Sequence, residues 1–225
     1  VAGLAALAAA NYLAVRSQAY ASLEAQSRAL ALSHTEALRD WARSKALIVQ
    51  ASAAALDDPE AARALNMLQK AGSFLTTYFG YADKRTVFSE PQNLPPDYDP
   101  TSRPWYKQAT SAQAPILTAP YPDAGGAGLV VAFAAAARQG TDVKAVLAGD
   151  VSLSAVVANV ASIKPTPSSY AFLVGSDGNI IAHPNVKLAL KPATELSAQL
   201  SAAALAERAR STGLSAMDLQ GRAML

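Results

Sequence analysis

The 225-residue chain has no cysteine, only two histidines (His34 and His183) and two tryptophans. The missing thiols exclude a disulfide framework, a cysteine nucleophile and any thiolate metal centre. Two histidines so far apart leave little from which to build a multi-histidine metal site. Charge is scarce and balanced, with 19 Lys and Arg against 17 Asp and Glu for a net +2. A nucleic-acid-binding surface concentrates basic residues, so that class is disfavoured. Aromatic residues make up only 7% of the chain, whereas alanine supplies about fifty residues, nearly a quarter. Alanine favours helix and fills little volume. Long helices are therefore expected, around a core that depends on few large side chains. The length allows one or two domains.

Both ends carry information. Val1 to Val15 is apolar apart from Asn11, and Arg16 closes the run. A helix needs about 20 apolar residues to span a bilayer. The run reads as the tail of a transmembrane helix, as a signal-peptide hydrophobic region without its charged start, or as a buried Ala-rich helix. At the other end, Gly221-Arg222-Ala223-Met224-Leu225 stops where a strand is expected to begin, so the chain reads as a segment of something longer.

Four regions follow from the pattern: an apolar stub over 1–16, a long stalk helix over 17–57, a first module over 58–163 and a smaller second one over 164–225. No Gly or Pro falls between Ser17 and Leu56, and Leu23, Leu30, Leu38, Trp41, Leu47 and Val49 recur among charges, with His34 a polar helix position. Asp58 suits a helix N-cap and Pro59 a first helical position, for a second helix running to about Lys70. Ser73 to Tyr81 is aromatic and β-branched, a strand signature, with a turn over Ala82–Arg85 and a return strand over Thr86–Ser89. After a Pro-rich loop, a short helix is predicted over Arg103–Thr110, then strands over Ile116–Tyr121, Leu129–Ala137 and Val143–Leu153. A helix over Ser154–Ile163 and a linker over Lys164–Ser168 lead to the second module. That module is read as strands Ala171–Val174 and Ile180–His183 around a Ser176–Asn179 turn, with a helix over Leu196–Ser211. His183 at the strand end is expected to be a hydrogen-bonded structural residue. The order of elements predicts an α+β fold with antiparallel sheets.

The densest polar and aromatic cluster is Tyr98-Asp99-Pro100-Thr101-Ser102-Arg103-Pro104-Trp105-Tyr106-Lys107. Large aromatics in a loop are expected to cover something. Arg103 offers a planar fork that matches a carboxylate. Further along lie Tyr121, Asp123 and Asp150, the last framed by apolar Val146, Leu147 and Val151. A carboxylate in such a strand is costly to bury without a cation. One guanidinium and two carboxylates complement a small zwitterion, such as a free α-amino acid. The residue types equally allow an internal Arg103–Asp150 salt bridge with the aromatics as core.

The order Tyr98-x4-Arg103-x-Trp105-Tyr106, Pro120-Tyr121-x-Asp123 and Gly149-Asp150-Val151-Ser152-Leu153 resembles the double Cache sensor domain of bacterial chemoreceptors, in its amino-acid-binding subgroup. Tyr170-Ala171-Phe172-Leu173-Val174, Asp177-Gly178 and Ile181-Ala182-His183-Pro184 look like its membrane-proximal module, so the resemblance covers nearly the whole chain. It implies a long N-terminal helix followed by two tandem PAS-like (Cache) modules, the second here lacking its last strands. It further implies the periplasmic part of a homodimeric methyl-accepting chemotaxis receptor in the bacterial inner membrane, held by flanking transmembrane helices. The implied ligand is an L-amino acid, bound in the first module without cofactor, metal, nucleic acid or catalytic residues. By similarity, Arg103 and Trp105, with Tyr98, would hold the ligand carboxylate, and Asp150 the ammonium, helped by Tyr106, Tyr121 and Asp123. Closure of the loop around Trp105 would then change packing against the long helix.

Two features depart from the usual pattern. Gly126-Ala127-Gly128 replaces a common Thr-Gly pair, and Ala132 to Ala137 lacks a common Pro, changes that would enlarge the pocket or loosen its lid. The side-chain end of the ligand is expected near Phe79, Tyr81 and the Ala-rich strand. Competing readings are a sensor for a biogenic amine or another small cation, which would not use Arg103, and a structural or adhesive domain. A glycosidase with Asp123 and Asp150 as paired carboxylates lacks any sugar-platform pattern. Chemotaxis signalling, a histidine kinase and a diguanylate cyclase all remain as outputs.

Overall fold

A computed structural model describes residues 2–164, 169–175, 177–208, 217–219 and 222–224. The chain starts with one unbroken helix, α1 (Ala2–Ala51), so the expected stub and stalk are a single rod. At 1.5 Å per residue it is about 75 Å long. Every described side chain between residues 3 and 26 is exposed. Burial begins at Ser27 and recurs at Leu30, His34, Leu38, Trp41, Lys45 and Val49, a three-to-four spacing that puts one stripe on the body. Leu23 continues that stripe beyond where burial begins, Leu47 falls off it, and both stay exposed. No helix among the described residues is long and apolar enough to cross a membrane.

A 3-10 turn over Ser52–Ala55 ends the rod, and α2 (Ala61–Gly72) follows. The predicted cap at Asp58 is displaced: Glu60 is the N-cap. The Asp58 carboxylate instead accepts the Glu60 N–H at 2.8 Å, closing a local turn that holds Pro59 outside the helix.

The sheet follows from β1 (Thr76–Tyr81), β2 (Thr86–Phe88), helix α3 (Pro104–Ser111), β3 (Ile116–Leu117), β4 (Tyr121–Pro122), β5 (Leu129–Gln139) and β6 (Asp142–Ser152). All pairings are antiparallel in the order β2-β1-β6-β5-β3, with β4 also on β5. The strand expected over Ile116–Tyr121 is interrupted. Pro120 brings no N–H to the ladder, and the Thr118 hydroxyl takes the Ala132 N–H at 2.9 Å.

Alternation along the strands creates two faces. Phe79, Tyr81, Val131, Phe133, Leu147 and Val151 face α1, α2 and the following helix α4 (Leu153–Ala161). Tyr78, Val130, Ala132, Ala134, Val146 and Ala148 face α3, with Trp105, Tyr106 and Ala109. This layering corrects two expectations. Phe79 and Tyr81 lie on the helix side, away from the candidate site. The loop around Trp105 cannot pack on α1, because the sheet stands between them.

Beyond residue 168, β7 (Leu173–Val174) pairs with β8 (Ile180–Ala182), and Ile180, Leu188, Ala193, Leu196 and Leu200 form a small core. The helix expected over Leu196–Ser211 shortens to a 3-10 turn and α5 (Ala202–Arg208). Ser197 and Ser201 accept the N–H groups of Gln199 and Ala204 and divide the segment. His183 accepts the Asn185 N–H on Nδ1 at 2.8 Å, as a structural histidine should. β9 (Met217–Leu219) and β10 (Arg222–Met224) pair antiparallel, so the strand expected near Arg222 has a partner before it. The linker over 165–168, Ser176, and residues 209–211 of the predicted helix lie outside the described residues.

Candidate functional site

The sequence around Arg103 shapes one wall. Asp99 accepts the Thr101 N–H at 2.9 Å and its hydroxyl at 2.6 Å, which winds a 3-10 turn over Pro100–Ser102. Lys84, 2.8 Å away, and Thr101 hold the Asp99 carboxyl down to about 2. Pro104 then disfavours helix at the preceding residue, so Arg103 is extended and caps the start of α3. Trp105 and Tyr106 follow in the first turn of α3, buried against β5 and β6. Trp105 crosses Tyr78 edge-on at 4.9 Å between ring centroids. Gly80 permits this approach, since a Cβ there would stand 2.5 Å from the indole.

The opposite wall is β6. Its register places Asp150 between Thr76 of β1 and Ala132 of β5. Asp150 is 3% exposed. Tyr78 and Tyr121 donate their hydroxyls to its Oδ1 at 2.9 and 3.0 Å. Among the described residues no hydrogen bond reaches Oδ2, and no cation lies within ion-pair distance. Burial pushes the Asp150 carboxyl up to about 7, with the two hydroxyls and Arg103 working against that rise and Asp123 adding to it. Burial and then Asp150 push both tyrosines above the usual phenol range.

Arg103 does not form the salt bridge with Asp150 that its residue type allowed. Its Nη2 donates to the Pro122 carbonyl at 2.7 Å, and the guanidinium stands 5.5 Å from the Tyr121 ring centroid. No carboxylate among the described residues lies within ion-pair distance of it. Burial pushes Tyr98 up to about 12, with Arg103 acting against it. Asp123 accepts the Ala127 N–H at 2.9 Å and organises the loop before β5, whose Gly126 and Gly128 take positive φ.

These groups surround one small cavity, lined by Tyr98, Arg103, Trp105, Tyr121, Asp123 and Asp150, together with Thr76, Tyr78, Phe88, Gln92, Leu94 and Ala124. Its volume is about 10 Å³, room for roughly one water. Anything larger than that enters only if lining residues move apart. Six of the seven predicted residues meet here. Tyr106 does not line the cavity: it lies beside Trp105 at 5.7 Å, and its phenol is raised by burial, Asp83 and Asp99 rather than by Asp150. None of residues 126–137 lines the cavity, so the Ala-rich stretch does not enlarge it. The small side chains of Ala132 and Ala134 are covered by α3 instead.

The sequence reading missed Tyr78, which donates to Asp150. Its alternation with Phe79 was visible, but only the pairing with β6 tells which of the two faces Asp150. Tyr78→Phe removes one of two stabilising donors to a buried charge. It should raise the Asp150 pKa above about 7 by about one to two units, taking about 1.5–3 kcal/mol for a hydrogen bond to a charged group. A ¹³C NMR titration of the Asp150 carboxyl checks this, and an unchanged midpoint contradicts it. Among the described residues no cluster of three or more His, Asp or Glu side chains could hold a metal ion.

The chain that carries this cavity has relatives among known proteins. No protein-family profile matches the chain. The methyl-accepting chemotaxis protein PctB of Pseudomonas aeruginosa is 37% identical over 163 residues, 71% of this chain and 26% of the relative. PscA of Pseudomonas syringae is 32% identical over 180 residues, 77% of this chain and 28% of the relative. The ligand-binding domain of the PctB amino-acid chemoreceptor in complex with L-Gln superposes with a TM-score of 0.71 at 33% identity, covering 86% of this chain and 78% of that one. The chain belongs to the ligand-binding domains of bacterial amino-acid chemoreceptors. The ligand-binding domain of the Pseudomonas fluorescens chemoreceptor CtaA, in complex with L-serine, is also similar, with a TM-score of 0.68 at 29% identity and 74% of each chain covered. The motif resemblance to a double Cache sensor domain thus agrees with relatives and fold alike. The chain spans about a quarter of the length of the curated relatives it matches.

Proposed function

We propose that this domain binds an L-α-amino acid in the cavity between α3 and β6 and signals its presence by a change of conformation. The observation that carries the reading is the split of charge: among the described residues, buried Asp150 has no cation within ion-pair distance, and Arg103, which lines the same cavity, has no carboxylate within that distance. An α-amino acid satisfies both ends at once. Arg103, with Tyr98 and Trp105, takes the carboxylate, and Asp150 takes the ammonium with Tyr121 and Asp123 beside it. Tyr78 holds the Asp150 carboxylate, and Tyr106 supports Trp105 from outside the cavity. The reaction is binding, with no catalytic step.

In this reading residues 58–163 form the membrane-distal ligand-binding module and 164–225 the membrane-proximal one. Residues 17–57 are the stalk, and 1–16 the end of a membrane-crossing helix. The whole receptor is then a homodimeric methyl-accepting chemotaxis protein of the bacterial inner membrane, with this domain in the periplasm.

A second reading, a sensor for an amine, is favoured by one detail: Arg103 already donates to the Pro122 carbonyl. The two readings separate at Arg103. Under the amino-acid reading, Arg103→Ala weakens binding of the amino acid by about thirtyfold or more, since losing one partner of a desolvated charge pair costs roughly 2–5 kcal/mol. It leaves affinity for the decarboxylated amine unchanged. Calorimetric titration measures both, and an amino-acid affinity untouched by Arg103→Ala favours the amine reading.

A further inference from the structure

The sheet separates the cavity from α1, so an occupant acts on α1 only through the sheet. Gly149 and Asp150 are successive residues of β6 and face opposite sides. On the helix side the Phe74 ring rests on Gly149 so closely that a Cβ there would stand 2.8 Å from two ring atoms. The backbone of Asp150 is tied to the same turn, because Leu75 donates its N–H to the Asp150 carbonyl at 2.8 Å.

Lys45 of α1 completes this line of contacts. It is 6% exposed, and no carboxylate among the described residues lies within ion-pair distance. Its ammonium stands 4.6 Å from the Phe74 ring centroid and 5.6 Å from that of Trp41. It donates to the carbonyl oxygens of Gly72 and Ser73. Those oxygens form the C-terminal end of α2, where the partial negative charge of the helix gathers. Ser73 itself is left-handed, with φ 47° and ψ 47°, a conformation that a residue with a Cβ holds only when its surroundings enforce it. A buried cation without a counter-ion is costly, and burial lowers the Lys45 pKa. The strained turn and the buried lysine hold one another in place.

We propose that Lys45 is the residue through which occupancy of the cavity is coupled to α1. The proposal rests on Asp150 being the partner of the ligand ammonium. As the ammonium settles on Asp150, the β6 backbone shifts at Gly149, Phe74 moves with it, and the turn over 72–75 carries Lys45 and its helix along. The coupling needs only a difference between two packed arrangements of this turn.

Amide hydrogen exchange on α1, with and without a saturating L-amino acid, tests it. The probe is the tightest binder among the twenty proteinogenic L-amino acids in a calorimetric screen of the unsubstituted chain. Ligand should slow exchange over residues 41–51 by about tenfold in that chain, within the usual range of coupling between sites. In Lys45→Met, saturated with the same ligand, the slowing should fall below about twofold. If Lys45→Met does not fold, Lys45→Met with Ser73→Gly takes its place, because glycine holds the left-handed turn without support. Equal slowing with and without Lys45, or none in the unsubstituted chain, overturns the coupling role and leaves the binding site standing. Failure of the unsubstituted chain to bind any amino acid overturns the reading of the site itself.

Discussion

Asp150→Asn should abolish most amino-acid binding while leaving the empty domain more stable at pH 8. The two effects have opposite signs because one buried charge causes both. With ligand present, the carboxylate is the partner of the ammonium. Its neutral isostere loses that partner at a cost of roughly 2–5 kcal/mol, a weakening of about thirtyfold at the least. With the cavity empty, the same charge is a burden. The Asp150 pKa rises from 3.8 to about 7 on folding, and at 1.36 kcal/mol per unit that amounts to about 4 kcal/mol above pH 7. The direction follows from proton binding. Between pH 4 and 7 the native state holds a proton that the unfolded chain has released, so stability falls as pH rises through that window. Asparagine removes the burden and still accepts the Tyr78 and Tyr121 hydroxyls. Chemical denaturation at pH 8, with and without amino acid, reads both effects. A variant that is less stable when empty, or that binds as before, contradicts the assignment.

The second large effect is on pH. The ammonium needs the ionised form of Asp150, and the carboxyl is half protonated near pH 7 in the empty cavity. Affinity should therefore be level above about pH 8 and fall about tenfold per unit below pH 7, so that at pH 5 it is roughly a hundredfold weaker. The α-ammonium and α-carboxylate of a free amino acid keep their charges across this range, so the slope belongs to the protein. Asp150→Asn should flatten it. Calorimetric titrations between pH 5 and 8 measure the profile, and an affinity independent of pH in the unsubstituted domain excludes Asp150 as the group that must ionise.

Much of the site was legible in the order of residues, for a physical reason. A carboxylate framed by Val146, Leu147 and Val151 is conspicuous wherever the strand is paired, and Arg103 with its aromatic neighbours stands out in a loop. The proline after Arg103 fixed where α3 begins. Register was hidden. Tyr78 and Phe79 look equivalent in sequence, and only the pairing of β1 with β6 turns Tyr78 toward Asp150 and Phe79 toward the helices. For the same reason Tyr106 was grouped with Trp105, although successive residues of a helix point in different directions and only Trp105 reaches the cavity. Side chains that compete for backbone groups were equally hard to foresee. Asp58 closed a turn instead of capping α2, and Thr118 replaced a strand bond. The apolar start and the charged continuation were read as separate segments, while alanine lets both share one helix. The place of α1 behind the sheet is a tertiary fact, and it is why the proposed route of the signal runs through the turn at Phe74 and not through the Trp105 loop.

The central claim is that one cavity reads both charges of an amino acid. Calorimetric titration of the unsubstituted domain at pH 8 tests it with three ligands sharing one side chain: an L-α-amino acid that binds, the amine without its carboxylate, and the acid without its ammonium. The account predicts one-to-one binding of the amino acid and a loss of at least about thirtyfold for each of the other two, since each leaves Arg103 or Asp150 without its partner. Comparable affinity for either one contradicts it.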